Sequence, residues 1–323
     1  MKILITGPNG LCGSAIKEEV LKQNVSSSGN HLIQTSNHDF FFCGREFSDL
    51  TKANEVEFLF DSINPDYVIH TAARVGGIGG NEAMHEEFFY DNLSINLNII
   101  RNCVTHHVKK LFAFSSVCVF PDSLEILEED KMHTGPVFES NFAYGYAKRM
   151  VDVHIRAAEK QYKVKNWVSF IPGNIFGKHD MFSIQYGHII PSLMHKLYIA
   201  KRDGSSFNVW GDGQSYREFI YVNDLARVIL TLIEKDNLPN KIIVSGRNEY
   251  KIEDIVNILV ETSDFKGEVK YDTEKPNGQR RRPSSKTVID SLLPDFEYTN
   301  IRTGLQDTWQ WFIDNYPNVR SEY

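Results

Sequence analysis

Short apolar runs rich in Ile, Val and Phe recur through the first half of the chain, at Lys2–Thr6, Phe40–Cys43, Tyr67–His70, Leu111–Ser115 and Trp167–Ile171. Longer segments with helical periodicity separate them, which is the order of βαβ units. A helix from about Gly10 puts Leu11, Ala15, Ile16, Val20 and Leu21 near one face, and Glu82–His106 and Asn141–Tyr162 read as longer helices. Alternation of this kind predicts an α/β fold, with a doubly wound parallel sheet covered by helices on both faces.

After Ile171 the alternation weakens. A loop-rich stretch runs to Gly187, a helix is predicted over Ile189–Lys201, and short strands over Phe207–Trp210 and Lys241–Val244. These imply a smaller C-terminal α/β lobe, with residues 1–171 forming the nucleotide-binding domain and residues 172–323 the substrate-binding one. The segment Val222–Lys235 is apolar enough to return to the first domain as a helix, so the two are expected to interleave. Asn24–Gly29, a run of Ser and Gly, reads as a flexible loop.

Composition narrows the function classes. With 323 residues and 41% hydrophobic content the chain can bury a substantial core without staples. Its four cysteines, Cys12, Cys43, Cys103 and Cys118, include no C-x-x-C pair, so neither a disulfide framework nor a metal site is expected. A net charge of −7 argues against sequence-independent binding of nucleic acid. The opening apolar run is too brief for a signal peptide and no stretch is long enough to span a membrane, so a soluble, cytoplasmic protein acting on small molecules is expected.

Directly after the first strand comes Gly7-Pro8-Asn9-Gly10-Leu11-Cys12-Gly13, opening the first helix. Small residues between a strand and a helix let the backbone approach a pyrophosphate, whose charge is favoured by the helix N-terminus; this is the Rossmann-type arrangement. Gly7, Asn9, Gly10, Leu11 and Gly13 are therefore candidate cofactor contacts. Where an NAD site usually ends its second strand in an acid, Phe42 is followed here by Cys43-Gly44-Arg45. Arg45 can hold a 2′-phosphate, which points to NADP; taken alone it is a solvated arginine, with Glu46 beside it.

Tyr144 and Lys148 are four residues apart on one helical face. A nearby ammonium favours the phenolate and would lower the tyrosine pKa, easing proton exchange with a substrate oxygen; the plain alternative is a surface pair. Ser116, at the end of the fourth predicted strand, supplies a hydroxyl that can polarise the same carbonyl. Ser116, Tyr144 and Lys148 in this order resemble the triad of the short-chain dehydrogenase/reductase superfamily.

Within that superfamily, Val75-Gly76-Gly77-Ile78, Ser116-Val117-Cys118-Val119-Phe120-Pro121, Gly187-His188-Ile189-Ile190-Pro191 and Val209-Trp210-Gly211-Asp212-Gly213 resemble the GDP-L-fucose synthase family nearly end to end. The resemblance implies a homodimer that binds NADP(H) and a GDP-sugar, epimerising GDP-4-keto-6-deoxy-D-mannose at C3 and C5 and reducing it at C4. It implies Cys118 as base and His188 as acid, in addition to Ser116, Tyr144 and Lys148. It adds Ala73, Tyr144, Lys148 and Asn174 to the cofactor contacts. Val75, Gly76, Gly77, His179, Lys196, Trp210, Arg217 and Arg282 are implied around the substrate.

Read without the resemblance, Cys118 is a buried thiol, His188 a loop histidine, His179 a turn histidine and Trp210 a core aromatic, while Arg280-Arg281-Arg282 is a solvated run. Two positions depart from the family: Val117, where Ser or Thr is usual, and Gly173, where Thr is usual. An Asp-Glu pair after the catalytic hydroxyl, expected of a 4,6-dehydratase, is replaced by Val117-Cys118. A 4-epimerase of the UDP-galactose type would need no Cys/His pair. A C4 reductase of another GDP-sugar and a nonenzymatic NADP-sensing scaffold are the remaining alternatives.

Overall fold

Along the first strand Ile3 and Ile5 pack into one core and Leu4 into another, all fully buried. The period-two alternation of a strand thus feeds both faces of a sheet. The computed structural model describes residues 1–23, 25–28, 31–275 and 278–321. The chain runs β1 (Lys2–Thr6), α1 (Leu11–Leu21), β2 (Ser26–Ser28), β3 (Leu32–Gln34), β4 (Asp39–Cys43), α2 (Ala53–Ile63), β5 (Tyr67–His70), α3 (Ile78–Ala83), α4 (His85–Thr105), β6 (Lys110–Phe114), α5 (Phe142–Tyr162) and β7 (Trp167–Pro172). There follow β8 (Asn174–Phe176), α6 (Ile189–Asp203), β9 (Phe207–Trp210), β10 (Tyr216–Tyr221), α7 (Val222–Leu232), β11 (Lys241–Val244), β12 (Glu249–Lys251), α8 (Ile252–Ser263), β13 (Val269–Asp272), α9 (Thr287–Leu292) and α10 (Ile301–Asn315).

The large sheet has the strand order β11-β7-β6-β5-β1-β4-β3-β2. β1, β4, β5, β6, β7 and β11 are parallel, the α/β core that the alternation predicts. On one side Ile16 and Val20 of α1 share a core with Leu225, Val228 and Ile229 of α7. On the other, Phe60, Ile99, Ile100, Val151 and Ile155 bring α2, α4 and α5 onto the sheet. Each such side chain contributes about 1.5–3 kcal/mol on burial.

Four expectations are corrected. The middle of the segment read as a flexible loop is β2, paired antiparallel with β3, and β3 is antiparallel to β4; Asn24 and Gly29 lie outside the described residues. Three serines carry no apolar signal, so only the partner strand defines this hairpin. Lys241–Val244 joins β7 at the edge of the large sheet and does not belong to the lobe. The helix expected over Glu82–His106 is two helices, broken at Met84, whose φ of −137° and ψ of 52° are not helical. Leu21, expected on the buried face of α1, is 47% exposed at its end.

The remaining strands form a three-stranded sheet, β12-β10-β8, and a two-stranded one, β13-β9. Parallel pairing of β10 with β8 sets Asn174 beside Phe219, two residues past Arg217. No helix among the described residues is long and apolar enough to cross a membrane.

Candidate active site

Gly7 leaves β1 with φ +71°, a left-handed conformation that favours glycine, and a Cβ there would come within 2.9 Å of the Ala72 backbone. A Cβ on Gly13 would fall 2.2 Å from the Gly7 carbonyl oxygen. The loops after β1 and β5, adjacent strands whose connections leave in opposite directions, therefore meet at the C-terminal edge of the sheet, the switch point where α/β folds bind ligands. α1 begins at Gly10 with no side-chain cap and no acidic residue in its first turn. Its amides and dipole suit an anion. Asn9 is exposed, Leu11 and Ala73 half-buried. Arg45 projects past β4 with its side chain 88% exposed, 3.9 Å from Asp49.

Ser116, Cys118, Tyr144 and Lys148 come together between β6 and α5. The Cys118 backbone N–H donates to Ser116 Oγ at 3.2 Å, capping a single 3-10 turn over Val117–Val119. Tyr144 is 8% and Lys148 1% exposed, which excludes the surface-pair alternative. Lys148 Nζ donates to the Phe114 carbonyl at 2.7 Å, and Ser115 Oγ donates to the Lys148 carbonyl at 3.3 Å.

Burial, more than any pairing, governs the protonation of these groups. It pushes the Tyr144 phenol well above the ordinary value, reinforced by Cys118 and opposed by a hydrogen bond with Ser116. The expected lowering by Lys148 is therefore corrected: the loss of hydration exceeds any help to the phenolate. Burial brings Lys148 down to about 7, with Cys12 opposing. Burial also raises the Cys118 thiol, while Ser116, Arg282 and Asn141 pull it down. Cys12, next to Asp180, is pushed up to about 12, chiefly by burial.

His188 is the N-cap residue of α6, its side chain 46% exposed, with Nδ1 3.8 Å from Asp180 Oδ1. His179 faces elsewhere: it sits at φ +63°, with Nε2 3.3 Å from Glu18 and its ring 4.7 Å from that of Trp311. Val75, Gly76 and Gly77 form a half-buried loop after β5. The Gly77 N–H donates to the Tyr186 carbonyl at 2.7 Å, and a Cβ on Gly77 would lie 2.4 Å from the Gly187 oxygen. This loop is thus packed against the residues leading to His188.

The cations gather farther along the lobe. Lys196 Nζ lies 3.8 Å from the centroid of the Trp210 ring, and Lys275 Nζ 5.8 Å from it. Burial, with Lys275 nearby, brings Lys196 down to about 8 against the pull of Asp272. Trp210 is 45% exposed, so the core-aromatic alternative fails. Arg217 and Arg282 are close enough that burial and mutual repulsion lower Arg217, while Cys118 lies within electrostatic reach of Arg282. Arg282 donates to the Pro121 carbonyl at 3.0 Å and to Gln279 at 2.9 Å, but its buried Nε has no partner among the described residues. Arg281 is committed to Glu249. A cleft of about 460 Å³ opens among Asp122, Tyr216, Gln279 and the three arginines.

Several residues of the site went unread in the sequence. His70, fully buried, pairs with Thr6 Oγ1 at 2.7 Å and Asn96 Oδ1 at 3.1 Å, and burial with Lys148 nearby brings it down to about 3, keeping it neutral. Asn92 and Asn96, one turn apart and buried in α4, were the available signal. Asn92 holds the backbone of Arg74 through both ends of its amide, Oδ1 accepting the Arg74 N–H and Nδ2 donating to the Arg74 carbonyl. Gly173 also finds its reason: a Cβ there would lie 2.3 Å from Ser245 Oγ. Ser245 donates to Glu218 at 2.8 Å, a buried carboxylate that also receives Ser284 Oγ at 2.6 Å and Lys286 Nζ at 2.8 Å. Ser245, just past the end of β11, thus fills the space that a side chain at position 173 would need. For Val117 nothing in the structure explains the departure.

Residues 3–246 match the model of the "NAD dependent epimerase/dehydratase family". A GDP-L-fucose synthase of Dictyostelium discoideum is 36% identical over 98% of this chain and 97% of its own. A probable GDP-L-fucose synthase of Drosophila melanogaster is 32% identical over 99% of both. The crystal structure of a GDP-L-fucose synthetase from Naegleria fowleri bound to NADP superimposes with a TM-score of 0.87 at 34% identity, covering 99% of this chain and 96% of that one. The chain therefore belongs to the NAD dependent epimerase/dehydratase family and, within it, is similar along nearly its whole length to the GDP-L-fucose synthases.

Proposed function

We propose that the protein converts GDP-4-keto-6-deoxy-D-mannose to GDP-L-fucose as an NADP-dependent 3,5-epimerase and 4-reductase. The observation that carries this reading is that Ser116, Cys118 and Tyr144 come together between β6 and α5, with Ser116 near enough to pull down both the Cys118 thiol and the Tyr144 phenol against burial. A carbon base and an oxygen acid on one anchor are what two reactions around one ketone require.

The cofactor cradle fits: Gly13 leaves room no side chain could share, the uncapped α1 N-terminus faces the pyrophosphate position, and exposed Arg45 suits a 2′-phosphate. Gly7, Asn9, Gly10, Leu11 and Ala73 would complete the hold, with Asn174, Tyr144 and Lys148 toward the reacting end. When bound, NADPH supplies hydride to C4.

The chain's own residues do the rest. Hydrogens at C3 and C5 are acidic because both carbons flank the C4 ketone. Cys118 removes them, Ser116 and Tyr144 hydrogen-bond the enolate oxygen, and His188 returns a proton from the other face. In the reduction Tyr144 gives its proton to O4. Burial keeps that phenol protonated, the state a donor needs. Arg217, Arg282 and Lys196 would bind the diphosphate by charge-assisted bonds, with Trp210 against the ligand and Val75, Gly76 and Gly77 near the sugar, while His179, turned toward Glu18 and Trp311, stands apart from it.

Incubation with the 4-keto sugar and NADPH in deuterated water tests this. Oxidation with deuterium at C3 and C5 of GDP-L-fucose is expected. Oxidation without label would instead establish a plain C4 reductase, a reading favoured by the raised Cys118 thiol. The homodimer rests on exposed apolar side chains of the adjacent helices α4 and α5, namely Phe89, Tyr90, Leu97, Phe142 and Val153. Leu97→Asp should halve the mass measured by light scattering. A cytoplasmic location fits a freely diffusing nucleotide sugar.

A further inference from the structure

Asp180 is 3% exposed, and one of its oxygens is accounted for: Oδ1 accepts the Met181 N–H at 2.7 Å. Oδ2 is buried without a hydrogen-bond partner among the described residues, which is costly for a carboxylate and calls for a reason. The loop 181–187 doubles back so tightly that a Cβ on Gly187 would lie 2.4 Å from both the Met181 and Ser183 carbonyl oxygens. Gly187 N–H donates to Ser183 and Phe182 N–H to Arg320. This turn brings Asp180 alongside His188, with Oδ1 3.8 Å from Nδ1. That separation is within ion-pair range though longer than a hydrogen bond, and such contacts tighten when a site closes on its substrate. The same carboxylate also lies within electrostatic reach of the Cys12 thiol in the glycine loop.

Resting on the assignment of His188 as proton donor, we propose that Asp180 is its positioning residue: the carboxylate takes the Nδ1–H of the imidazolium and leaves Nε2–H as the proton to be delivered. In that step the Nε2–H bond breaks, a C–H bond forms at C3 or C5, and imidazolium and enolate both become neutral. The ring retains the Nδ1–H tautomer beside Asp180 and recovers its Nε2 proton from solvent, to which it is half exposed.

The test uses Asp180→Asn, which preserves volume and the acceptor for Met181, alongside Asp180→Ala and His188→Gln. With the 4-keto sugar and NADPH in deuterated water, label exchange, inversion, NADPH oxidation and NADPH binding are read separately. Exchange through Cys118 and reduction at C4 need no acid on the opposite face. Asp180→Asn should therefore keep them and lose inversion by on the order of 10- to 100-fold. The product shifts to an uninverted GDP-6-deoxyhexose, in the partition given by His188→Gln. Wild-type inversion in Asp180→Asn overturns the proposal. So does a loss of all four readouts together, which would make Asp180 only a support of its loop, as Asp180→Ala tests directly. If His188→Gln itself inverts normally, the assignment of His188 fails first, and it is identified as the failure by that variant alone.

Discussion

Cys118 reinforces the proton on Tyr144: burial raises the phenol, the neighbouring thiol raises it further, and Ser116 opposes the rise in both groups. The base and the acid thus favour opposite protonation states, which suits a reaction that first removes carbon-bound protons and afterwards supplies one to oxygen. Tyr144→Phe should lower NADPH oxidation by on the order of 10²- to 10⁴-fold and slow deuterium exchange less, since Ser116 remains to hydrogen-bond the enolate oxygen. Cys118→Ala should do the reverse, and normal exchange in Cys118→Ala would falsify the base assignment.

Opposed pH limbs follow. The Lys148 ammonium, brought down to about 7, is present below that pH and lost as pH rises through it, so reduction should decline on the alkaline side. Thiolate at Cys118 is formed only as pH rises toward its raised value, so exchange should climb across the same interval. Initial rates of NADPH oxidation and of label wash-in, taken on one series of buffers, would cross. Parallel profiles would mean that one group controls both steps.

Gly173 and Ser245 should behave as a pair. Gly173→Thr forces a side chain onto the Ser245 hydroxyl, and overpacking of this kind costs about 1–3 kcal/mol. Adding Ser245→Ala clears the space and should recover part of that loss. Denaturant midpoints of the two single variants and the double variant give the coupling; strict additivity would show that the chain relaxes around the added side chain by another route.

Arg45 has no firm partner among the described residues, standing 3.9 Å from an acid and largely in solvent. Its removal should therefore cost little stability but about tenfold in NADPH affinity, with NADH unaffected. Titrations followed by cofactor fluorescence decide this. An Arg45→Ala protein that keeps a strong NADPH preference removes the basis for the 2′-phosphate assignment.

Trp210 pairs an exposed ring with the cation of Lys196. Trp210→Ala should raise KM for the GDP-sugar, by about 1–3 kcal/mol if a base stacks there, with little change in kcat.

The long, continuous apolar runs and the glycine turn were legible because each signal is local: strand, loop and helix N-terminus are neighbours in the chain. Trp210 was legible too, had alternation been applied to β9. Phe207 and Val209 are buried while Asn208 and Trp210 point out. The hairpin of β2 and β3 was not, since three serines become a strand only through their partner. Nor was the sheet to which Lys241–Val244 belongs, because four apolar residues specify burial without specifying a neighbour. Lys148 shows the limit for chemistry: its spacing from Tyr144 was plain, but the burial that sets both pKa values comes from the assembled fold.

Because α7 shares a core with α1 and β11 pairs with β7, stretches from beyond β7 complete the large sheet and its helical cover. Anyone grafting a new sugar specificity onto this cofactor platform would have to transplant two separate stretches, one on either side of α7 and β11. A single cut after β7 would strip that strand of its neighbour and leave a bare edge on a buried sheet. Recombination that works for proteins joined like beads would here yield aggregates, so variation in substrate is expected to arise by point replacement within the lobe.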